Sequence, residues 1–198
     1  MKDSYRPPEY PRREPSFEGL TTRELGMNTA LASFSVLFLA TLVACLVIRG
    51  DTDNWRNAET PGLPLGLGLS TLLLIVLSVV LYRADRALLR NSVDGLRFHL
   101  QASLGLGLVF LATQGANAMS VLGGASPEGV RTLAIYSFFL LTGLHALHVL
   151  GGVVALLFVL TRAREYSSSK REGVLLLRRY WDFLLAVWLV MMVAFAVF

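Results

Sequence analysis

Five apolar runs, each near the length needed to cross a lipid bilayer, fill most of this chain. A bilayer's hydrocarbon core is about 30 Å thick, so a spanning helix needs about 20 mostly apolar residues. Inside lipid the backbone has to satisfy its own hydrogen bonds, and a single apolar run does so only as a helix. Spans are expected at about 27–48, 63–82, 100–119, 133–161 and 180–198. The fold class that follows is all-α: a polytopic membrane bundle of five transmembrane helices. At about 1.5 Å per residue, the fourth run exceeds about 40 Å and has to tilt or protrude.

The hydrophobic fraction of 54% and mean hydropathy of +0.57 agree with a membrane protein. A net charge of +4 could suggest a nucleic-acid partner. The charges lie almost entirely between the apolar runs, so none is expected. Cys45, the lone cysteine, sits inside the first run. It can form no internal disulfide and supports no thiolate metal site, and reads as a small apolar core residue. Residues 1–26 are polar and carry Pro7, Pro8, Pro11 and Pro15. They are expected to form an extended, partly disordered arm ahead of one membrane domain over 27–198. The arm is not read as a signal peptide, because no apolar stretch begins until about Gly26 and no small-residue cleavage site follows.

Basic residues set the expected topology. Fifteen lie in the arm and in the second and fourth connections: Lys2, Arg6, Arg12, Arg13 and Arg23; Arg83, Arg86, Arg90 and Arg97; Arg162, Arg164, Lys170, Arg171, Arg178 and Arg179. Only Arg49, Arg56 and Arg131 fall on the other side. The N-terminus is therefore expected in the cytoplasm and the C-terminus outside. Trp55, Trp181, Tyr82, Tyr136 and Tyr180 fall near span ends, as interfacial aromatic belts do. Ser167–Ser169 reads as a short polar loop.

Of the fourteen acidic residues, only Asp182 is expected to enter a span, at its cytoplasmic edge, as an ion-pair partner of Arg178 or Arg179 or a helix N-terminal charge. Pumps and proton-coupled carriers use acids within the membrane, so this pattern argues against both. The fourth run carries His145 and His148 at its centre, one helical face apart by three residues, with Thr142 nearby. Imidazole suits iron, copper and zinc. A haem would need a second histidine from a facing helix at that depth, and His99 lies near a membrane edge. The favoured reading is that both imidazoles hydrogen-bond across a helix interface, each bond contributing on the order of 1 kcal/mol. No catalytic, cofactor or metal residue is assigned. Gly143, Gly151, Gly152 and Ala155, with Ser103 and Gly107 on the third span, are expected to let helices approach closely, and Gln114 and Asn117 to add polar contacts.

The run YSFFLLTGLHALHVLGG at 136–152 resembles the signature of haem-copper oxidase subunit III. Tyr-Trp-Asp-Phe-Leu-Leu-Ala-Val-Trp at 180–188 resembles that family's Tyr-Trp-His-Phe-x-Asp-x-x-Trp. Weaker matches are Leu25-Gly-Met27, Leu63-Pro-Leu65 with Ser70-Thr-Leu72, and His99 with the glycine-rich stretch at 105–114. The likeness covers about residues 20–198 and fits the family's short five-helix form. It implies a non-catalytic subunit of a terminal oxidase in a bacterial inner membrane, supporting assembly, lipid binding and stability in aerobic electron transport. Haem and copper would reside in the partner catalytic subunit I, with subunit II beside it; phospholipid would contact this chain. The fingerprint residues carried over are Thr142, Gly143, His145, His148, Gly151, Tyr180, Trp181, Asp182 and Trp188.

The chain also departs from the family. A first-span glutamate aligns with Phe34, an acid near the end of the third span with Asn117, the family's fifth-span histidine with Asp182 and its aspartate with Leu185. A member that docks but lacks proton-linked tuning is implied, and restoring glutamate at Phe34 tests that by turnover durability. An accessory subunit of a quinol oxidase or nitric oxide reductase is a related alternative. A stand-alone haem or metal membrane protein, or a small transporter, is the alternative of another class.

Overall fold

A threonine starts the first helix. In this computed structural model, which describes residues 21–53, 55–58, 60–124, 126–167 and 170–197, Thr21 caps α1 (Thr22–Asp51) with a reciprocal pair of bonds. Its Oγ1 accepts from the Glu24 amide at 3.2 Å, and Glu24 Oε2 accepts from the Thr21 amide at 3.2 Å. This capping box satisfies two of the helix's free N–H groups and begins α1 ahead of the expected residue 27. Most of the expected arm, together with Ser168 and Ser169 of the polar loop, lies outside the described residues.

The largest departure in element length comes next. α2 (Gly66–Leu89) and α3 (Val93–Gly124) are joined by only three residues, where the hydropathy pattern placed a connection of seventeen. The turn closes as a Schellman motif: Asn91 N–H donates to Leu88 O at 2.9 Å and Ser92 N–H to Ala87 O at 3.0 Å. The motif needs a left-handed residue after the helix end, and Asn91, with φ 53°, is among the few side chains that tolerate it. Ser92 then caps α3, its Oγ accepting from the Gly95 amide at 3.2 Å. The helices continue past the apolar runs because Leu81, Ala84, Leu88, Leu96 and Leu100 keep an apolar face buried between them. The arginines interleaved with these residues face outward, which lowered the average hydropathy that set the expected ends.

A single turn, α4 (Pro127–Val130), follows, with Ser126 as its cap and Pro127 at its first position. α5 (Leu133–Thr161) has the bounds expected for the fourth span. A 3₁₀ turn at Ala163–Glu165 leads to α6 (Glu172–Val197), which begins eight residues before the expected span. Among the described residues, α1, α2, α3, α5 and α6 are the five helices long and apolar enough to cross a membrane.

Neighbouring pairs α2–α3, α3–α5, α5–α6 and α6–α2 close a four-helix ring, and α1 packs outside it on α5 and α6. Trp181, Trp188 and Phe110 are the largest fully buried side chains at its centre. At one end the backbone carbonyl of Trp55 accepts from the Ala134 amide at 3.2 Å, tying the α1–α2 loop to the start of α5. Trp55 and Trp181 are both buried, so neither belongs to an interfacial belt; Tyr82 and Tyr136 stay exposed, as a belt residue would. At the other end α1 is clasped to α6: Thr21 Oγ1 donates to Glu172, and the ion pairs Arg23–Glu172 and Glu24–Arg179 span 3.5 and 3.7 Å.

Candidate functional site

Along α5, Thr142, His145, Val149, Gly152 and Leu156 recur at three- and four-residue spacing and form its buried stripe. Thr142 turns its hydroxyl back onto its own helix, donating to Phe138 O at 2.7 Å. His145 is fully buried, and neither ring nitrogen has a hydrogen-bond partner. Its surroundings are aromatic: ring centroids of Trp188, Phe110 and Phe38 lie 5.1, 5.9 and 6.2 Å away. His148 donates from Nδ1 to Leu144 O of its own helix at 2.7 Å and meets Phe34 edge-on at 4.4 Å and Phe38 at 5.2 Å.

The expected bonds from both imidazoles across a helix interface are therefore corrected. The facing positions on α1, α3 and α6 carry rings rather than hydrogen-bonding groups. The polar groups of α3 point elsewhere: Gln114 Nε2 and Asn117 Nδ2 both reach Ser70 Oγ on α2, at 2.6 and 3.4 Å. Phe34, where the resemblance led to a glutamate being expected, places its ring against His148 alongside Phe38.

Trp181 fills the gap between α3, α5 and α6, where two glycines admit it. A Cβ on Gly152 would come within 2.9 Å of the Trp181 ring, and one on Gly107 within 3.3 Å. Tyr180 crosses beside it, its hydroxyl donating to His148 O at 2.8 Å. Trp188 Nε1 donates to Thr71 Oγ1 on α2 at 2.9 Å. Gly152 and Gly107 are thus close-approach positions, while Ser103 is buried with its hydroxyl donating to His99 O of its own helix at 2.9 Å. Gly143 is not: it is exposed, with nothing near its missing Cβ, and Gly151 is exposed as well.

One constellation was missed in the sequence. Asp85, expected in a connection, lies on α2 and is 5% exposed. Arg178 of α6 donates to it at 3.3 Å and reaches Asp182 at 3.5 Å, while Ser78 of α2 donates to Asp182 at 2.5 Å. The Arg178 guanidinium also sits over the Tyr82 ring, 4.9 Å from its centroid. Asp182 is ten residues inside α6, so it is an ion-pair partner of Arg178 and not a helix N-terminal charge; Arg179 turns instead to Glu24. A signal for Asp85 was present: with Leu81 four residues before and Leu88 three after, it falls on the buried face of a helix continued past the apolar run.

Among the described residues no three His, Cys, Asp or Glu side chains come together as a metal site. His99 stays at the start of α3, donating from Nδ1 to Gly95 O at 2.6 Å. His145 packs against the Trp188, Phe110 and Phe38 rings. Replacing it with leucine loses ring contacts, of about 0.5–1.5 kcal/mol each, and removes two unpaired buried nitrogens that cost about 1–3 kcal/mol. His145→Leu is expected to leave stability within about 1 kcal/mol, while His145→Ala, which opens a cavity, costs about 2–4 kcal/mol. Thermal unfolding of both variants in detergent checks this. A large loss in the leucine variant would mean that the nitrogens have partners.

A family model described as "Cytochrome c oxidase subunit III" matches residues 29–198. A cytochrome c oxidase subunit 3 of Thermostichus vulcanus is 31% identical over 85% of this chain and 84% of its own length. One from Synechocystis is 31% identical over 86% of this chain and 73% of its own. A probable cytochrome c oxidase subunit 3 of Nocardia farcinica is 28% identical over 82% and 79%.

Proposed function

The chain belongs to the cytochrome c oxidase subunit III family, and from that premise we propose how it serves: as the non-catalytic third subunit of a terminal oxidase, docked beside the subunit that carries the haems and copper. The observation that carries this is the family match over residues 29–198, which runs through all five spans. The interior is consistent with a scaffold. Gln114 and Trp188 join one helix to another through hydrogen bonds to α2, and the largest buried side chains are rings and leucines. Subunits I and II are the proposed partners, and phospholipid the proposed companion of the exposed apolar faces. The proposed setting is a bacterial inner membrane, supported by the bacterial relatives.

The proposed orientation has the N-terminus and the α2–α3 turn in the cytoplasm and the C-terminus outside. The bias of lysine and arginine toward that side supports it. Aromatic packing of Phe34 against His148 supports a member without a carboxylate at that contact.

Isolation of the tagged chain from its host in mild detergent, with a redox difference spectrum of the eluate, tests the role. Haem-copper oxidase bands accompanied by two larger subunits are expected. A chain that elutes alone and carries its own haem, lost in His145→Ala or His148→Ala, would overturn it.

A further inference from the structure

Past its apolar run, α2 carries three arginines on one face. Arg83, Arg86 and Arg90 are spaced i, i+3, i+7 and line a groove with Tyr82, Ala87 and His99 at the α2–α3 turn. All three are exposed, and among the described residues no carboxylate lies within 4.0 Å of any of them. Asp85, the acid within this helix end, is committed to Arg178. Arg86 is held in place: its Nε and Nη2 donate to Tyr82 Oη at 2.8 and 2.5 Å. Beside the groove Phe98 of α3 is 67% exposed, its ring edge-on to His99 at 5.5 Å.

Depth and length decide what such a face fits. A bilayer is about 30 Å thick in its hydrocarbon and about 40–45 Å with its headgroups, which leaves about 5–8 Å for each headgroup layer. The exposed Tyr82 marks the end of the apolar run, and Arg90 lies eight residues further on, about 12 Å along the axis. The far part of the groove therefore stands in water, beyond the headgroups. Arg83 and Arg90 are about 10 Å apart along that axis, too far for one small anion to bridge. A row of carboxylates at the same three- and four-residue spacing, as a facing helix presents them, meets all three guanidiniums. Phe98 offers that helix an apolar anchor, and the Tyr82 contact pre-orders Arg86, which lowers the cost of binding.

We propose that this face docks an acidic, amphipathic helical segment of a partner protein, its carboxylates on Arg83, Arg86 and Arg90 and an apolar side chain on Phe98. On the orientation proposed above the partner is cytoplasmic; the docking itself does not depend on the oxidase role.

Fluorescence anisotropy tests it, with a labelled helical peptide of about 20 residues that carries glutamates at i, i+3 and i+7 and one leucine beside them. The peptide is titrated with the full-length chain in phosphatidylcholine nanodiscs. Arg83→Gln/Arg86→Gln/Arg90→Gln is expected to weaken binding by about tenfold or more, and Phe98→Ala by about threefold. The triple lysine variant, which keeps the charge but not the bidentate fork, should fall between the parent and the glutamine variant. A peptide with glutamine in place of its glutamates should not bind. Absence of binding to the parent chain, or unchanged binding in the triple glutamine variant, would overturn the site. So would an equal weakening by Arg162→Gln/Arg164→Gln/Lys170→Gln, which would make the attraction a property of the whole basic end. Loss of binding when phosphatidylglycerol is added to the nanodisc would assign the face to the membrane surface. A gain of affinity in Glu9→Gln/Glu14→Gln/Glu18→Gln would assign it to the chain's own arm, and either result overturns the proposal.

Discussion

Arg178→Met is expected to destabilise the bundle by about 2–3 kcal/mol, because it strands the carboxylate of Asp85. Breaking a buried pair by removing one partner typically costs about 3–5 kcal/mol, since the remaining charge stays buried and uncompensated. The Arg178 side chain is 31% exposed, so some water reaches the pair and the lower figure applies. Asp85 has little recourse: its side chain is 7% exposed and Oδ1 already lacks a partner. Asp182 suffers less, because Ser78 still donates to it. The double variant Asp85→Asn/Arg178→Met removes the stranded charge and should recover about half the loss or more. Thermal midpoints of the two variants in the same detergent decide the matter. Equal midpoints would mean that the Arg178 stem, and not its charge on Asp85, holds α2 to α6.

Gly152→Val should be comparably severe, for a steric reason. Even a Cβ at Gly152 would meet Trp181 Cζ2 at 2.9 Å, Trp181 Cε2 at 3.0 Å and Tyr180 Cε1 at 3.1 Å. Trp181 is 1% exposed and a ring cannot bend aside, so α5 and α6 have to separate. Overpacking of this kind costs about 1–3 kcal/mol, and the added methyls of valine place it at the upper end. Gly107→Ala, with its nearest contacts at 3.3 Å to Trp181 and Val153, should cost less. Trp181→Phe in the Gly152→Val background vacates space and should restore part of the stability, whereas alanine at the open position Gly143 should leave it unchanged. The readouts are the thermal midpoint and retention of the subunit in the purified oxidase. A Gly152→Val chain as stable as the parent would show that the close approach is relaxed in the membrane.

Much of the architecture was legible because membrane helices announce themselves by length and apolarity. The 133–161 span agreed at both ends, where a threonine and an arginine bound a run that holds no Asp, Glu, Lys or Arg. The ends of α2, α3 and α6 were not legible in the same way. Their terminal turns are amphipathic, and an average over the run counts an outward arginine against an inward leucine. The site was legible in part. The glycine and polar residues of α3 and α5 pointed to close packing, which Gly107, Gly152, Gln114 and Asn117 fulfil. The partners of His145 and His148 were misjudged, because nothing local to α5 says that the facing helices bring phenylalanine and tryptophan to that depth.

The sequence by itself determined the number of spans, the lopsided distribution of basic charge and the likeness to one oxidase subunit family, because these depend on local composition and on residues adjacent in the chain. Only the tertiary structure decided what those residues touch. It paired Asp85 with Arg178 across 93 positions of sequence and caged His145 in rings from three other helices. It also slid Trp181 between two glycines. The physical reason is that helix formation in lipid follows from each segment's own backbone and apolarity. A side chain's environment is instead set by which helices pack together and at what depth, and that depends on shape and polar matching over the whole bundle.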